Sequence, residues 1–563
     1  MQFDQKISAL QKQIQGYSRE ELLWFNGYLS GLLANNQIAT STQVESKSST
    51  VQLNPVVLYG SETGNSKKLA FELLKLFKQN NIQARCFDLA TYKVKQLAKE
   101  EFVLFICSTQ GEGEAPVSAQ RFFGELEHEA LDLSTLSYSV LGLGDSSYPL
   151  FCKAAEDLQI LLDKHGGVLS IPSQNLGVDY KTAAHQWFKE VINNVLNRSV
   201  TPIHNAVENR QELNTQTKEI STRTKRSYKG IIGHSIILND RESNKKTYHI
   251  ELESEEPLDY SPGDAVGIYP KNKHEVCAEI ATLFKATDRA FELENLTITG
   301  LSGNTLKKLE DILTIEVTDK RIDLIDLLNL YPANKQVTFD QLLTVLVPMS
   351  PRLYSISSSA LTNSHQVTIT VALAEFESNG VNKSGVCSSF LSSLSVGQDI
   401  EFYIHLNSEF YLPNADTDIV MVGPGTGIAP FRSFLQHRDL RGDSGRNWLF
   451  FGEQHFVCDF YYQTEIQQWL ESGVLTKLDT AFSRDQQYKI YVQDRLRQQS
   501  KQLWQWIESG AILYVCGQKS PMSQDVENAL VEIIRENTQS SEEQAVAYLD
   551  TMFLNGQYKK DVY

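Results

Sequence analysis

Residues 55–78 read PVVLYGSETGNSKKLAFELLKLFK: an apolar run, a turn rich in Ser, Thr and Gly, and then a helical pattern. The turn, Ser61 to Ser66, would present backbone N–H groups and hydroxyls to a phosphate at the positive end of the following helix. Similar apolar runs recur in EFVLFICS and YSVLGLG, each followed by a helical stretch. This alternation predicts a parallel sheet with crossover helices between residues 55 and 196.

Two further loops follow the later apolar runs: Ser108 to Gly113, which reads STQGEG, and Leu143 to Tyr148, which reads LGDSSY. In a doubly wound sheet, the ligand lies outside the carboxyl ends of the strands, where these loops would meet. Taken singly, the first turn could be an ordinary capped helix start, and Tyr148 an ordinary packed surface tyrosine. The three loops together favour one binding site at this edge of the sheet.

The pattern changes after Tyr228 to β-rich segments, GIIGHSIIL, TYHIELE, DAVGIYP and QVTITVALAEF, which a helical stretch at about residues 272–346 interrupts. These segments predict an antiparallel β-barrel with a helical insertion. From Asp418 the alternation of apolar runs and helices returns, which predicts a second nucleotide-binding sheet.

We therefore expect five segments along the chain. They are residues 1–50, an N-terminal helix and linker; 51–200, the first α/β domain; 201–227, a polar linker; 228–415, the barrel; and 416–563, the second α/β domain. In the first segment, apolar residues at helical spacing predict an amphipathic helix at residues 18–34, and a polar tether follows it. The apolar face of that helix could serve a partner, a second copy of the chain, or the chain itself.

A glycine-rich loop opens the second α/β domain. Gly423 to Pro430 reads GPGTGIAP after the apolar run DIVMV, and its glycines would let a dinucleotide approach the backbone closely. Further on, Ser483, Arg484, Lys489, Tyr491 and Gln493 supply two cations and three hydrogen-bonding side chains, as a 2'-phosphate requires. NADPH is therefore favoured over NADH. Without the glycine loop, a solvated charged loop would be the preferred interpretation.

Composition excludes several classes of function. A net charge of -17 makes nucleic-acid binding unfavourable, because phosphate neutralisation needs a basic surface. No apolar stretch approaches the roughly 20 residues that cross a bilayer, and the N-terminal sequence lacks the pattern of a secretory signal, so we expect a cytoplasmic protein without a membrane segment. The seven cysteines are scattered, without CxxC or metal-type spacing, which predicts free thiols and no metal site.

In the barrel segment, Arg352 to Ser355 reads RLYS, and Gly385 to Ser388 reads GVCS at the start of a predicted helix. Together with the loops above, in this order, they resemble the diflavin reductases, a resemblance that covers about residues 54–563. It implies a flavodoxin-like FMN domain, an FAD domain and an NADP-binding domain of the ferredoxin-NADP reductase type, with electrons passing from NADPH to FAD, to FMN and to a separate acceptor.

The resemblance also implies site residues. For FMN they are Ser61, Glu62, Thr63, Gly64, Asn65, Ser66, Ser108, Thr109, Gln110, Gly111, Leu143, Gly144, Asp145, Ser146, Ser147, Tyr148, Phe151 and Cys152. For FAD they are Thr305, Arg352, Leu353, Tyr354, Ser355, Thr370, Val371, Ala372, Phe376, Gly385, Val386, Cys387, Ser388 and Tyr563. For NADP they are Gly425, Thr426, Ser483, Arg484, Lys489, Ile490, Tyr491, Val492, Gln493 and Asp525. Ser355, Cys516, Asp561 and Tyr563 match the catalytic positions.

Within this family, the details resemble the flavoprotein components of NADPH-sulfite reductase. Gln110 stands where P450 reductases usually carry an aromatic residue, and the chain ends in Tyr563 instead of tryptophan. The resemblance implies that the acceptor is a sirohaem iron-sulfur hemoprotein and that the N-terminal region supports a homo-oligomer. A soluble P450-type or methionine synthase-type reductase, and a flavin-binding scaffold without turnover, are the alternatives.

Overall fold

The chain begins, in its described part, with a parallel sheet that has helices on both faces. Its elements are β1 (Val56–Gly60), α1 (Asn65–Gln79), β2 (Arg85–Asp88), β3 (Phe102–Ser108), α2 (Gln120–His128), β4 (Ser137–Leu143), α3 (Lys153–Lys164), β5 (Val168–Leu169), β6 (Gln174–Leu176) and α4 (Lys181–Arg198). The strand order is β2-β1-β3-β4-β5, with β6 also paired to β4. Val56 and Leu58 enter one core, whereas Val57 and Tyr59 enter the other, because side chains alternate along a strand.

The computed structural model describes residues 53–61, 64–110, 113–145, 150–177, 180–198, 226–317, 322–331, 337–378 and 381–563. Leu53–Tyr563 form one compact unit. The helix predicted at residues 18–34 and nearly all of the linker at residues 201–227 lie outside the described residues. So do six predicted site residues: Glu62, Thr63, Gly111, Ser146, Ser147 and Tyr148.

An antiparallel barrel with a helical insertion follows. Its elements are β7 (Ser227–Ile237), β8 (Thr247–Ser254), β9 (Ala265–Ile268), α5 (His274–Leu283), α6 (Gly303–Leu313), α7 (Leu324–Leu330), α8 (Phe339–Val345), β10 (Arg352–Ser355), β11 (Gln366–Ala372), β12 (Glu375–Ser378), β13 (Val381–Ser384), α9 (Val386–Ser393) and β14 (Asp399–His405). The strand order is β10-β9-β14-β7-β8-β11, and Ile356 bridges Ile369 of β11, which closes the barrel. The insertion, α5 to α8, has a core of its own. The predicted barrel is confirmed.

The last part is a second parallel sheet. Its elements are β15 (Ile419–Val422), α10 (Ala429–Arg441), β16 (Asn447–Glu453), α11 (Phe456–Asp459), α12 (Gln463–Ser472), β17 (Lys477–Phe482), α13 (Val492–Gln498), α14 (Ser500–Glu508), β18 (Ile512–Gly517), α15 (Gln524–Thr538), α16 (Glu542–Leu554) and β19 (Tyr558–Val562). The strand order is β17-β16-β15-β18-β19. β16 and β17 lie on one side of β15, and β18 and β19 lie on its other side. The direction of the strand order therefore changes between β15 and β18, and ligands are expected at the carboxyl ends of these two strands.

Among the described residues, no helix is both long and apolar enough to cross a membrane. They also contain no group of three His, Cys, Asp or Glu side chains arranged to hold a metal ion.

Candidate active site

The turn between β1 and α1 has the features of an anion site. Gly64 has φ 93°, and its N–H donates to Ser61 Oγ at 2.9 Å. A Cβ at Gly64 would lie 2.6 Å from Phe553 Cζ, so only glycine fits. Ser66 Oγ is buried and makes no hydrogen bond to a described residue, and the first turn of α1 carries no acidic side chain. The hydroxyl and the helix N-terminus therefore fit a phosphate group.

A cavity of about 430 Å³ opens beside this turn. Its lining includes predicted residues from all three loops: Asn65, Ser108, Thr109, Gln110, Leu143, Gly144, Asp145, Phe151 and Cys152. Its other wall belongs to the barrel and includes Arg352, Leu353 and residues 405–409. Residues 405–409, like Gly177 and Tyr180 of the same lining, were missed in the sequence, because no motif marks the ends of β6 and β14.

Charged pairs join the first α/β domain to the rest of the chain around this cavity. Glu409 accepts from Lys68 Nζ and from Lys181 Nζ, both at 2.5 Å, and Lys67 Nζ lies 2.7 Å from Asp550. The pKa of Glu409 is lowered, because the two lysines outweigh the burial that acts in the opposite direction. Glu409 lies just after β14 of the barrel, and Asp550 lies on α16.

Strand β10 and the start of α9 place the RLYS and GVCS motifs. Arg352 is exposed, and its guanidinium donates to the carbonyls of Ser350 and Pro351 at 3.3 Å. Burial, and next the nearby Cys387 thiol, raise the pKa of Tyr354 well above its usual value. The first turn of α9 has no acidic residue. An exposed guanidinium and an open helix N-terminus fit a pyrophosphate.

Other predicted FAD residues have varied surroundings. Ser388 Oγ accepts from the Ala374 N–H at 3.2 Å, which ties α9 to the end of β11. Thr370 Oγ1 lies 2.7 Å from the Tyr462 hydroxyl, Val371 is fully buried in the barrel core, and Phe376 is 53% exposed. Thr305 is buried in the first turn of α6, where its N–H donates to Ser302 Oγ at 3.3 Å. Gly385, Val386 and Ala372 frame the same junction between β11 and α9.

The second α/β domain carries a larger cavity, of about 690 Å³. It is lined by nine of the ten predicted NADP residues: Gly425, Thr426, Ser483, Arg484, Lys489, Tyr491, Val492, Gln493 and Asp525. Ile490 does not line it. A Cβ at Gly427 would lie 2.1 Å from the Cys516 carbonyl oxygen, whereas one at Gly425 would meet only a Glu453 oxygen, at 3.5 Å. The loop can therefore lie directly against β18 while its open side borders a nucleotide-sized cavity.

The barrel also contributes to this cavity. Residues 244–247, between β7 and β8, form part of its wall, and Lys245 Nζ lies 2.7 Å from Glu453 Oε1. This loop could not be predicted from the sequence, because the loop precedes the glycine motif by about 180 residues and carries no motif of its own.

Three of the predicted catalytic residues meet where the barrel contacts the second sheet. Ser355 Oγ donates to Asp561 Oδ2 at 2.9 Å, and Cys516 pairs with Asp561 in the register of β18 and β19. Burial raises the pKa of Asp561, and burial together with the Asp561 charge raises that of Cys516 well above its usual value. Tyr563 lines the larger cavity, and its hydroxyl lies 2.6 Å from Thr426 Oγ1. The cluster therefore offers a fully buried thiol and a partly buried carboxylate.

Comparisons with known proteins agree with this geometry. The chain matches Flavodoxin over residues 57–187, FAD binding domain over residues 296–390, and Oxidoreductase NAD-binding domain over residues 421–528. It is 35% identical to "Sulfite reductase [NADPH] flavoprotein alpha-component" of Vibrio parahaemolyticus, across 100% of this chain and 95% of that protein. The proteins of the same name from Vibrio cholerae and Bacillus subtilis are each 36% identical, across 96% and 98% of their own lengths.

The chain belongs to the NADPH-sulfite reductase flavoprotein alpha-component family. It is an NADPH-dependent oxidoreductase that uses FMN and FAD. In this member of the alpha-component family, the phosphate turn lies in the Flavodoxin match, β10 and α9 lie in the FAD binding match, and the glycine loop lies in the NAD-binding match. The predicted fold and the three predicted cofactors are thereby confirmed, whereas the individual site residues and the domain boundaries stay predictions.

Proposed function

We propose that this chain is the electron-donating component of an assimilatory sulfite reductase. It takes electrons from NADPH and passes them to a separate sirohaem iron-sulfur hemoprotein, which reduces sulfite to sulfide for cysteine biosynthesis. Strand β10 carries the proposal. Ser355 at its end bonds Asp561, two residues before Tyr563 of the larger cavity, whereas Arg352 and Leu353 line the cavity beside the phosphate turn. One short strand thus connects the donor side to the side from which electrons leave.

The predicted site residues form three sets, one for each cofactor. The turn from Ser61 to Ser66 and the loops after β3 and β4 would hold FMN, β10 with the start of α9 would hold FAD, and the larger cavity would hold NADPH. Bound FAD and FMN supply the redox chemistry that turns a two-electron donor into single-electron delivery. The names of the relatives, and the hydrogen-bond donors that each set provides, support these assignments.

The cluster of Ser355, Cys516 and Asp561 would orient the nicotinamide. Its Ser355 hydroxyl fixes the Asp561 carboxylate by a hydrogen bond, and the high pKa of Cys516 keeps that side chain an uncharged thiol. A carboxylate held in a water-poor site stabilises the positive charge that develops on the nicotinamide ring. Tyr563, next to Thr426, would cover the flavin ring until the nicotinamide enters.

A separate acceptor is required by the chemistry of sulfite. Its reduction to sulfide takes six electrons and a metal centre that binds sulfur, and the described residues hold no group of side chains fit for a metal. The relatives are named as flavoprotein components, which supports a division of labour between two polypeptides. Self-association or docking through residues 1–50 stays a prediction, since those residues lie outside the described part of the chain. A cytoplasmic location stays a prediction as well.

Reconstitution tests the proposal. The purified chain, loaded with FMN and FAD, should reduce cytochrome c with NADPH and release no sulfide from sulfite. Adding a sirohaem iron-sulfur hemoprotein should then yield NADPH-dependent sulfide, measured colorimetrically. The control is the same mixture with flavin-depleted chain, which should yield none. Cytochrome c reduction without sulfide in the complete mixture would point to a different acceptor, and sulfide from the chain alone would contradict the separate hemoprotein.

A further inference from the structure

His405 occupies the barrel edge between the two flavin sites. It is the last residue of β14 and pairs with Ala265 of β9, which on its other side pairs with Ser355 of β10. Directly opposed residues of antiparallel strands project to the same face, and neighbouring strands lie about 4.8 Å apart. His405 and Ser355 therefore lie on the same face, separated by one strand.

The imidazole faces the loop that follows β4 in the first α/β domain. His405 Nδ1 lies 3.3 Å from Asp145 Oδ2, and the two side chains are only 14% and 12% exposed. Both residues line the cavity beside the phosphate turn. A charge pair so far removed from solvent is screened much less by salt than a pair on the surface.

Two further carboxylates feel the same imidazole. The charge of His405 opposes the burial that raises the pKa of Asp264 and of Asp561. Asp264 accepts hydrogen bonds from the Asn407 N–H at 2.9 Å and the Tyr411 hydroxyl at 2.7 Å, and Asp561 from Ser355. Glu409 is engaged by two lysines, and Arg352 lines the same barrel wall of the cavity. Asp145 is the carboxylate that faces His405 from the first α/β domain.

We propose that His405 is a positioning residue for electron transfer between the two flavin sites, because its contact with Asp145 holds that residue against the barrel edge that carries Ser355. The inference rests on the proposed electron path through that edge. Because Asp145 lies in the loop predicted to hold FMN, the pair would fix how far the FMN site stands from the FAD site. Electron transfer weakens steeply with such distance, so the contact at position 405 should govern the second step of the path.

The first test uses rapid mixing of the flavin-loaded enzyme with one equivalent of NADPH. FMN-depleted protein identifies the phase in which only FAD is reduced. His405→Gln should slow the following phase about three- to tenfold, as loss of one partly buried charge contact does, and leave the first phase unchanged well above the pH range in which Asp561 protonates. His405→Lys keeps a positive charge and should restore the second phase. His365→Gln is the matched control, since His365 is an exposed barrel histidine bonded to the Ser254 carbonyl.

The second test reads the seating of the loop without any turnover. Amide hydrogen exchange of the peptide that carries Asp145 should be faster in His405→Gln than in wild type, and at the wild-type rate in His405→Lys and His365→Gln. Asp145→Asn should produce the same increase, and combining it with His405→Gln should add nothing further. Equal amide exchange in wild type and His405→Gln would overturn the proposal. So would a second kinetic phase in His405→Lys that is as slow as the second phase in His405→Gln. A wild-type enzyme without any second phase would instead refute the electron path.

Discussion

At the scale of residues, Arg484 is the side chain predicted to distinguish NADPH from NADH in the larger cavity. Arg484 donates its backbone N–H to the Gln454 carbonyl at 2.9 Å, while its exposed side chain lines the cavity with Ser483 and Lys489. We predict that Arg484→Ala raises KM for NADPH about ten- to hundredfold and that for NADH little, because only NADPH carries the 2'-phosphate that a guanidinium contacts. Steady-state kinetics with both nucleotides measure it.

The control for this prediction is Arg441→Ala. Arg441 lies on α10 and pairs with Asp443, outside the cavity lining. It should change neither KM. Equal increases for the two nucleotides in Arg484→Ala would contradict a contact with the 2'-phosphate.

The pH dependence of flavin reduction should follow Asp561. Burial raises its pKa, and the Ser355 hydrogen bond and His405 only partly offset this effect. A carboxyl with a raised pKa is protonated, and loses its charge, at a higher pH than an ordinary aspartate. We therefore predict that the NADPH-driven reduction of FAD declines as the pH falls, with its acid limb above the usual aspartate range.

The test of this assignment is Asp561→Asn. The variant should lower the rate about a hundredfold and remove the acid limb, because the amide cannot lose charge. The measurement is the rate of absorbance loss on mixing with NADPH across the pH range. An unchanged acid limb in the variant would assign it to another group.

At the scale of elements, the turn after β15 depends on a close approach between two backbones. A Cβ at Gly427 would lie 2.1 Å from the Cys516 carbonyl oxygen on β18. Gly427→Ala should therefore lower the free energy of unfolding by about 1–3 kcal/mol, as overpacking does, and also weaken NADPH binding. Gly124→Ala is the matched control, because nothing lies within 4 Å of a Cβ there and alanine stabilises the interior of α2. Calorimetry of both variants should show shifts of opposite sign.

At the scale of the whole molecule, Glu409 ties the first α/β domain to the barrel through Lys68 and Lys181. Its pKa is lowered, so this contact is present above the ordinary glutamate range and is lost only as the pH falls through the lowered value. Glu409→Gln should weaken the contact by about 1 kcal/mol, a modest figure because Lys181 is 55% exposed. The radius of gyration from X-ray scattering should then increase at low salt and respond less to added salt than in wild type.

Glu401→Gln serves as the control for that experiment, since Glu401 lies on β14, the strand that precedes Glu409, and contacts Ser227 instead of a lysine. Its radius should match wild type at every salt concentration. Equal radii for Glu409→Gln and Glu401→Gln would show that the lysine contacts do not hold the two parts together.

Local patterns in the sequence are sufficient for much of this molecule. The largely apolar runs at β1, β3 and β4 predict a parallel sheet, because strands buried on both faces carry mostly apolar side chains. Gly64 likewise marks a backbone conformation with φ 93°, which L side chains rarely adopt, and Gly427 marks a close approach to the backbone of β18. The fold class follows from such signals, and so does the preference for NADPH, whereas FMN and FAD are implied by the resemblance of the motifs to those of a known family.

Contacts between distant segments were decided by the tertiary structure alone. Ser355 and Asp561 are 206 residues apart and meet only because the barrel contacts β19. The loop at residues 244–247, the junction residues His405 and Glu409, and the Tyr462 hydroxyl beside Thr370 carry no motif. The physical reason is that a local motif records which backbone shape a segment needs, whereas the charges and hydroxyls that meet across the molecule depend on how segments far apart in the sequence pack against one another.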